Sequence, residues 1–384
     1  MRIMADEALR GAQAQDKLLF TPGPLTTTPT VKQAMLRDLG SRDPEFIEMM
    51  RAIRRRLLVL GGVAAAGYEA VVMQGSGTFG IESVISSSIA AGGKILIIIN
   101  GAYGRRMARI ARVHTIACRE LSFGEDQWPD PGAVEQALQA EAGFTHIAIV
   151  HSETTSGLLN PLRPFGEIAR KYGLVYIVDA VSSFGGVPLN LAENEIDFLI
   201  SSSNKCIQGV PGFSFVLARR QALLAIEGRA RSLSLDLLAQ WQGLESDGQF
   251  RFTPPTHALL AFRQALDELD AEGGIAARAA RYRANQDSLV AGMRSLGFRE
   301  YVRPELRGSI LTTFLYPNQP AFDFRDFYTR LSAKGYIIYP GKLTRVDCFR
   351  IGTIGNLFPD DVQGLLRAIG ETLADMGIAV PLQE

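Results

Sequence analysis

The sequence has 384 residues, 47% hydrophobic and 21% charged, and its 40 Lys+Arg balance 40 Asp+Glu to a formal net charge of +0. A chain of this length can bury a large core and divides into two unequal domains, and the balanced charge excludes a basic field for nucleic acid. Three cysteines, Cys118, Cys206 and Cys348, are too few and too scattered for a disulfide framework or a metal site, so a cytoplasmic, metal-free enzyme is expected.

Residues 1–16 mix charges with alanines and lack the apolar centre of a signal peptide, so they read as a tail. Phe20-Thr21-Pro22-Gly23-Pro24 is a rigid turn, two prolines flanking one permissive glycine. Asp43-Pro44 predicts an N-cap followed by proline at the first helical position. The apolar residues Phe46, Met50, Ile53, Leu57 and Leu60 then follow with helical spacing, and Arg54-Arg55-Arg56 reads as the solvated face of that helix.

From residue 70 to about 217, short apolar runs at 71–73, 95–99, 145–150, 174–178, 196–200 and 213–217 alternate with helical segments. Strands separated by helices imply crossovers and a mainly parallel sheet, with function gathered at the strands' carboxyl ends. The aliphatic run Ile95–Ile99 is far too short to cross a bilayer, and no membrane association is expected. After residue 270 the pattern changes. Tyr282, Leu289, Met293 and Leu296 mark a long helix closed by Gly297, and Asp323 caps another that ends at Gly335. Strand runs at 310–315, 336–339 and 348–351 surround it, and a last helix covers 359–376. The expected organisation is a tail (1–16), a large α/β domain (17–270) and a smaller α+β domain (271–384).

The chemistry gathers at the strand ends. Lys205 follows the run 196–200 and Asp179 follows 174–178. A lysine able to form a Schiff base and a carboxylate able to pair with a pyridinium nitrogen together suit pyridoxal phosphate. Gln74-Gly75-Ser76-Gly77-Thr78 follows the first strand and opens a helix, so its N–H groups and hydroxyls can cradle an anion. No Gly-Lys-Ser/Thr follows, and no ribose-binding acid is evident, which removes the two common nucleotide motifs. Tyr103, between glycines in Asn100–Gly104, can lie flat on a planar ring, and Glu153–Gly157 offers hydroxyls to a ring substituent. Taken singly, each segment is equally a plain turn, capping segment or surface residue. Taken jointly, five strand ends each suit one part of the same cofactor.

With these stretches on the page the chain resembles the fold-type I, class-V aminotransferases, the group that holds the alanine–glyoxylate and serine–glyoxylate enzymes. The likeness runs collinearly from about residue 17 to 375. It covers Thr21–Leu25, Gln74–Thr78, Asn100–Gly104, His151–Gly157, Val178–Gly186, Ser203–Gly212, Arg231–Leu237, Phe252–His257, Tyr339–Lys342 and Phe349–Gly352. The resemblance implies a pyridoxal 5'-phosphate fold with a mainly parallel, seven-stranded sheet in the large domain. It implies that Lys205 carries the cofactor, that Asp179 meets the pyridine nitrogen, and that Tyr103 stacks on the ring where alanine–glyoxylate relatives often place Trp. Ser76, Gly77 and Thr78 would hold the phosphate, Thr154 would approach the ring hydroxyl, and Val181 would pack on the opposite face. Asn204, which precedes the lysine where many relatives have Gln, would also contact the phosphate. Thr253 and Thr256 would reach the phosphate of a neighbouring subunit, making a homodimer the catalytic unit, and Arg350 would receive the substrate's acidic group.

Within the family the likeness is to the branch that passes the amino group of 2-aminoethylphosphonate to pyruvate, yielding phosphonoacetaldehyde and L-alanine in phosphonate breakdown. The alternative is an alanine- or serine–glyoxylate type. In 2-aminoethylphosphonate the anionic group sits one carbon further from the amine-bearing carbon than in alanine, so extra donors or slack must exist beside Arg350. Lys342, Arg345 and Thr353 are near it in sequence, and the pattern does not place their side chains. A cysteine desulfurase needs a nucleophilic Cys on a mobile loop, which neither Cys206, next to Lys205, nor Cys118, expected just after a strand, supplies.

Overall fold

The computed structural model describes residues 16–382, so the tail expected over 1–16 lies outside the described residues apart from Asp16. Seven strands form the central sheet: β1 (Tyr68–Gln74), β2 (Lys94–Ile99), β3 (Ala117–Ser122), β4 (Phe144–Val150), β5 (Val175–Asp179), β6 (Phe198–Ser202) and β7 (Phe213–Arg219). Their spatial order is β1-β7-β6-β5-β4-β2-β3. The pairs β3/β2, β2/β4, β4/β5 and β5/β6 are parallel, while β7 runs antiparallel to both β6 and β1. Interior strands such as Lys-Ile-Leu-Ile-Ile-Ile are covered on both faces and therefore read as unbroken apolar runs. The edge strand β3 does not: its Ala-Cys-Arg-Glu-Leu-Ser is largely exposed, and a search for apolar runs passes over it. Cys118 consequently lies within that strand rather than after it.

Before β1 stands α1 (Pro44–Leu60), and between the first strands stand α2 (Gly77–Ser88) and α3 (Ala102–Val113). The Asp43 carboxylate accepts from Glu45 N, and Pro44 occupies the first turn, as the Asp-Pro pair predicts. The arginine triplet departs from expectation at one residue. Arg54 is buried, with Nε donating to Ala70 O at 2.7 Å and Nη2 pairing with Glu245, because its position on α1 faces β1 rather than water. Arg55 remains exposed beside Glu48, and Arg56 reaches Asp267 and Asp270. The run 196–200 is also displaced: the strand is Phe198–Ser202. Asp197 stands before it, accepting from Tyr176 N and from Arg219 Nε, both at 2.9 Å.

The chain continues through α4 (Thr256–Glu272) and, after a left-handed Gly273 at φ 105°, α5 (Gly274–Ser295). A second sheet follows, of β8 (Leu311–Leu315), β9 (Tyr339–Pro340) and β10 (Cys348–Gly352), antiparallel in the order β8-β10-β9. The expected single strand at 336–339 is instead two pieces, since Tyr336–Ile337 pairs in parallel with Leu18–Leu19. Asp323 caps α6 (Phe324–Ala333) by accepting from Asp326 N at 2.8 Å, and α7 (Pro359–Asp375) closes the fold. One apolar core runs from Val31 to Leu266 around the large sheet. Another joins Phe20 to residues 289–382, so the start of the described chain is built into the second core. Among the described residues no helix is long and apolar enough to cross a membrane.

Candidate active site

The carboxyl ends of β1, β2, β4, β5 and β6 open on one side of the sheet, and the predicted site residues other than Arg350, Thr253 and Thr256 follow them. Asp179 is the last residue of β5, buried, with Oδ1 accepting from Val181 N at 2.9 Å. Burial pushes its carboxyl up to about 6, against the Val181 N–H and the cations Arg106 and Lys205. Three residues past β6, Lys205 turns inward and donates from Nζ to Pro22 O at 2.5 Å. Burial holds this amine below the ordinary lysine range, with Tyr103 and Asp179 opposing. The predicted Pro22-Gly23-Pro24 turn therefore lies directly on the lysine. Gly23 has φ 118°, and a Cβ there would overlap the Lys205 side chain.

Ser76 is the extended N-cap of α2 and makes no capping hydrogen bond with its side chain. The hydroxyls of Ser76 and Thr78 and the first N–H groups of the helix therefore open one anion-binding end. Gly77 lies against Val181 so closely that a Cβ would overlap it, which fixes this helix end above the segment that follows Asp179. The hydroxyl of Thr78 accepts from Arg106 Nη1 at 3.0 Å. Asn204 accepts from the Ser202 hydroxyl at 3.2 Å.

Tyr103 is the second residue of α3. The guanidinium of Arg106 lies 4.8 Å from the centre of its ring and the ammonium of Lys342 4.7 Å. Burial raises the phenol, but a hydrogen bond with Thr154 and the charges of Lys342 and Lys205 outweigh it, leaving the group below its ordinary value. Arg350, on β10, is buried, its Nε donating to Pro340 O at 2.9 Å and its Nη1 to Thr154 O at 2.8 Å. Lys205, Asp179, Tyr103, Thr154, Val181, Arg350 and the Ser76–Thr78 turn thus share one cleft. Thr253 and Thr256 lie apart, on an exposed segment before and at the start of α4. The Thr253 and Phe252 carbonyls accept from Gln74 Nε2 at 3.3 and 3.0 Å.

Glu153, named in the sequence only as the start of a hydroxyl-bearing run, has a larger part. It is fully buried, accepts from Thr155 N (3.0 Å) and the Thr155 hydroxyl (2.6 Å), and reaches Tyr103 N at 3.3 Å. Burial raises its pKa, opposed by those bonds. A carboxylate at the end of an apolar strand was the available signal. Arg106 gave none, as one arginine among several on an amphipathic helix.

The arrangement suits pyridoxal phosphate on its own geometry: an amine and a carboxylate face one cleft, an aromatic ring forms a wall, and a helix end suits the phosphate. Among the described residues no group of three or more His, Cys, Asp or Glu is placed to hold a metal ion. Residues 30–342 match the model of the aminotransferase class-V family. The chain is 52% identical to a 2-aminoethylphosphonate–pyruvate transaminase of Klebsiella pneumoniae over 94% of its length and 98% of that protein. It is 49% identical to one of Syntrophobacter fumaroxidans over 94% and 97%. Among solved structures it superposes on an alanine–glyoxylate aminotransferase of Nostoc sp. with a TM-score of 0.86, at 27% identity over 95% of this chain and 97% of that one. The chain belongs to the class-V aminotransferases.

Proposed function

We propose that the protein transfers the amino group of 2-aminoethylphosphonate to pyruvate, releasing phosphonoacetaldehyde and L-alanine, with pyridoxal phosphate as cofactor. The observation that carries the choice of substrate is the 52% identity, along nearly the whole chain, to a transaminase of that name. When bound, the cofactor supplies an electron sink for the carbon that loses its proton.

The chain's own residues divide the remaining work. Lys205 holds the cofactor. Once released, its Nζ, kept below the ordinary lysine range by burial, is able to take and return the proton at the amine-bearing carbon. Asp179 keeps the ring nitrogen protonated, and the Val181 N–H fixes its carboxylate for that contact. Tyr103 and Val181 form the two walls of the ring slot, and Thr154 serves the ring hydroxyl. Ser76, Gly77, Thr78 and Asn204 serve the phosphate. Arg350, its plane set by two carbonyls, grips the acidic group of either substrate.

A homodimer belongs to the same proposal. Phe79, beside the phosphate turn, and Phe252, beside Thr253, are 52% and 44% exposed, two apolar side chains that a second subunit would cover while Thr253 and Thr256 reach its phosphate. The core from Val31 to Leu266 supports a large domain within 17–270 and that of residues 289–382 a small one within 271–384, although Leu18 and Phe20 pack with the second core; three free cysteines suit a cytoplasmic setting. Purified holoenzyme given 2-aminoethylphosphonate and pyruvate should release phosphonoacetaldehyde. Turnover of alanine with glyoxylate, without that aldehyde, would rule the reading out in favour of the glyoxylate branch.

A further inference from the structure

A phosphonate presents three oxygens and up to two negative charges, and a carboxylate presents two oxygens and one charge. One binding site that must take both needs a cation beyond Arg350. Arg350 has already given Nε and Nη1 to the Pro340 and Thr154 carbonyls, so two of its five N–H groups are committed. Of the neighbouring polar residues, Thr353 is fully buried and gives its hydroxyl to Ser309 O at 3.2 Å. The charge of Arg345 acts on Tyr301.

Lys342 differs from both. Its Nζ lies 3.3 Å from the phenolic oxygen of Tyr103 and 4.7 Å from the centre of that ring. The charge of Arg350 also acts on that phenol. Two cations carried by different segments therefore lie about the edge of the ring wall, and Lys342 reaches the phenolic oxygen itself. Lys342 itself is exposed, which leaves its ammonium free to turn toward an arriving anion at little desolvation cost.

The backbone that carries Lys342 is held at both ends. Gly341 N donates to Cys348 O at 2.9 Å, and a Cβ at Gly341 would overlap Cys348. Thr344 N donates at 3.1 Å to Glu125 Oε2, whose other oxygen binds Arg105 at 2.7 Å. Glu125 is buried in the segment after β3, so the loop is clamped across the cleft.

We propose that Lys342 is the second phosphonate-binding cation, pairing with the charge and oxygen that a phosphonate has and a carboxylate lacks, and so sets the preference for the aminophosphonate donor. This rests on the substrate reading above. The test is calorimetric binding of methylphosphonate and of acetate to holoenzyme, wild type against Lys342→Met and Lys342→Gln. The methylphosphonate-to-acetate affinity ratio should fall about 10- to 100-fold in both variants, the size of one lost charged hydrogen bond, and Lys342→Arg should restore most of it. An unchanged ratio in variants with the wild-type cofactor spectrum would overturn the role of Lys342. Wild-type holoenzyme that fails to turn over 2-aminoethylphosphonate would instead overturn the substrate reading.

Discussion

Asp179 pays for its place in the site. A carboxyl pushed up to about 6 in the folded chain, against the ordinary 3.8, binds its proton more tightly folded than unfolded. Its contribution to stability is therefore full below pH 3.8 and lost as pH rises through about 6. In cofactor-free protein, Asp179→Asn should gain up to about 3 kcal/mol over wild type on the alkaline side of that window, and the gain should vanish on the acidic side. Urea melts at both pH values read this, and an equal difference at both would refute it. The same variant should lose most activity, because an amide cannot hold a ring nitrogen protonated. Arg350→Ala should keep the cofactor spectrum while kcat/KM falls about 30-fold or more for both 2-aminoethylphosphonate and pyruvate. Full activity with either substrate would remove Arg350 from the site.

At the level of elements, two helix starts build the slot, and each depends on one close contact. Glu153 supplies the acceptors that the first turn of α3 needs, holding Tyr103 by its own N–H. Glu153→Gln would turn an NH₂ toward either the Thr155 or the Tyr103 N–H. It should cost about 1–3 kcal/mol in a urea melt, and it should loosen the ring wall, seen as a changed cofactor absorbance. Stability equal to wild type would mean that water meets that N–H. Gly77, at the start of α2, touches Val181 where a Cβ would not fit. Gly77→Ala should lower pyridoxal phosphate affinity roughly 5- to 100-fold through this overpacking, measured by fluorescence titration.

Across the whole molecule, what the sequence made legible followed from burial. Interior strands such as β2 and β5 are covered on both faces, so their apolar runs mark them and place Asp179 at a strand end. The edge strand β3 is half solvated and carried no such mark. Arg54 looked like part of a charged face because a sequence shows spacing but not which neighbour a helix packs on; here it is β1. Lys205, Asp179 and Arg350 could be singled out in the sequence because chemistry restricts the residue types suited to the work proposed for them. Glu153, Arg106 and Lys342 could not, because their parts depend on contacts between segments far apart in the chain. The Thr253 and Thr256 roles lie at a larger scale still. Mixing inactive Lys205→Ala and Thr253→Ala subunits should change activity from that of either parent if sites are shared, and simple averaging would speak against a shared site.

The role proposed for Lys205, covalent anchor of the cofactor, can be read directly. Holoenzyme reduced with borohydride, digested and mapped by mass spectrometry should carry the pyridoxyl group on Lys205. A label on Lys342 or any other lysine, or no label on protein that binds the cofactor, would contradict the account.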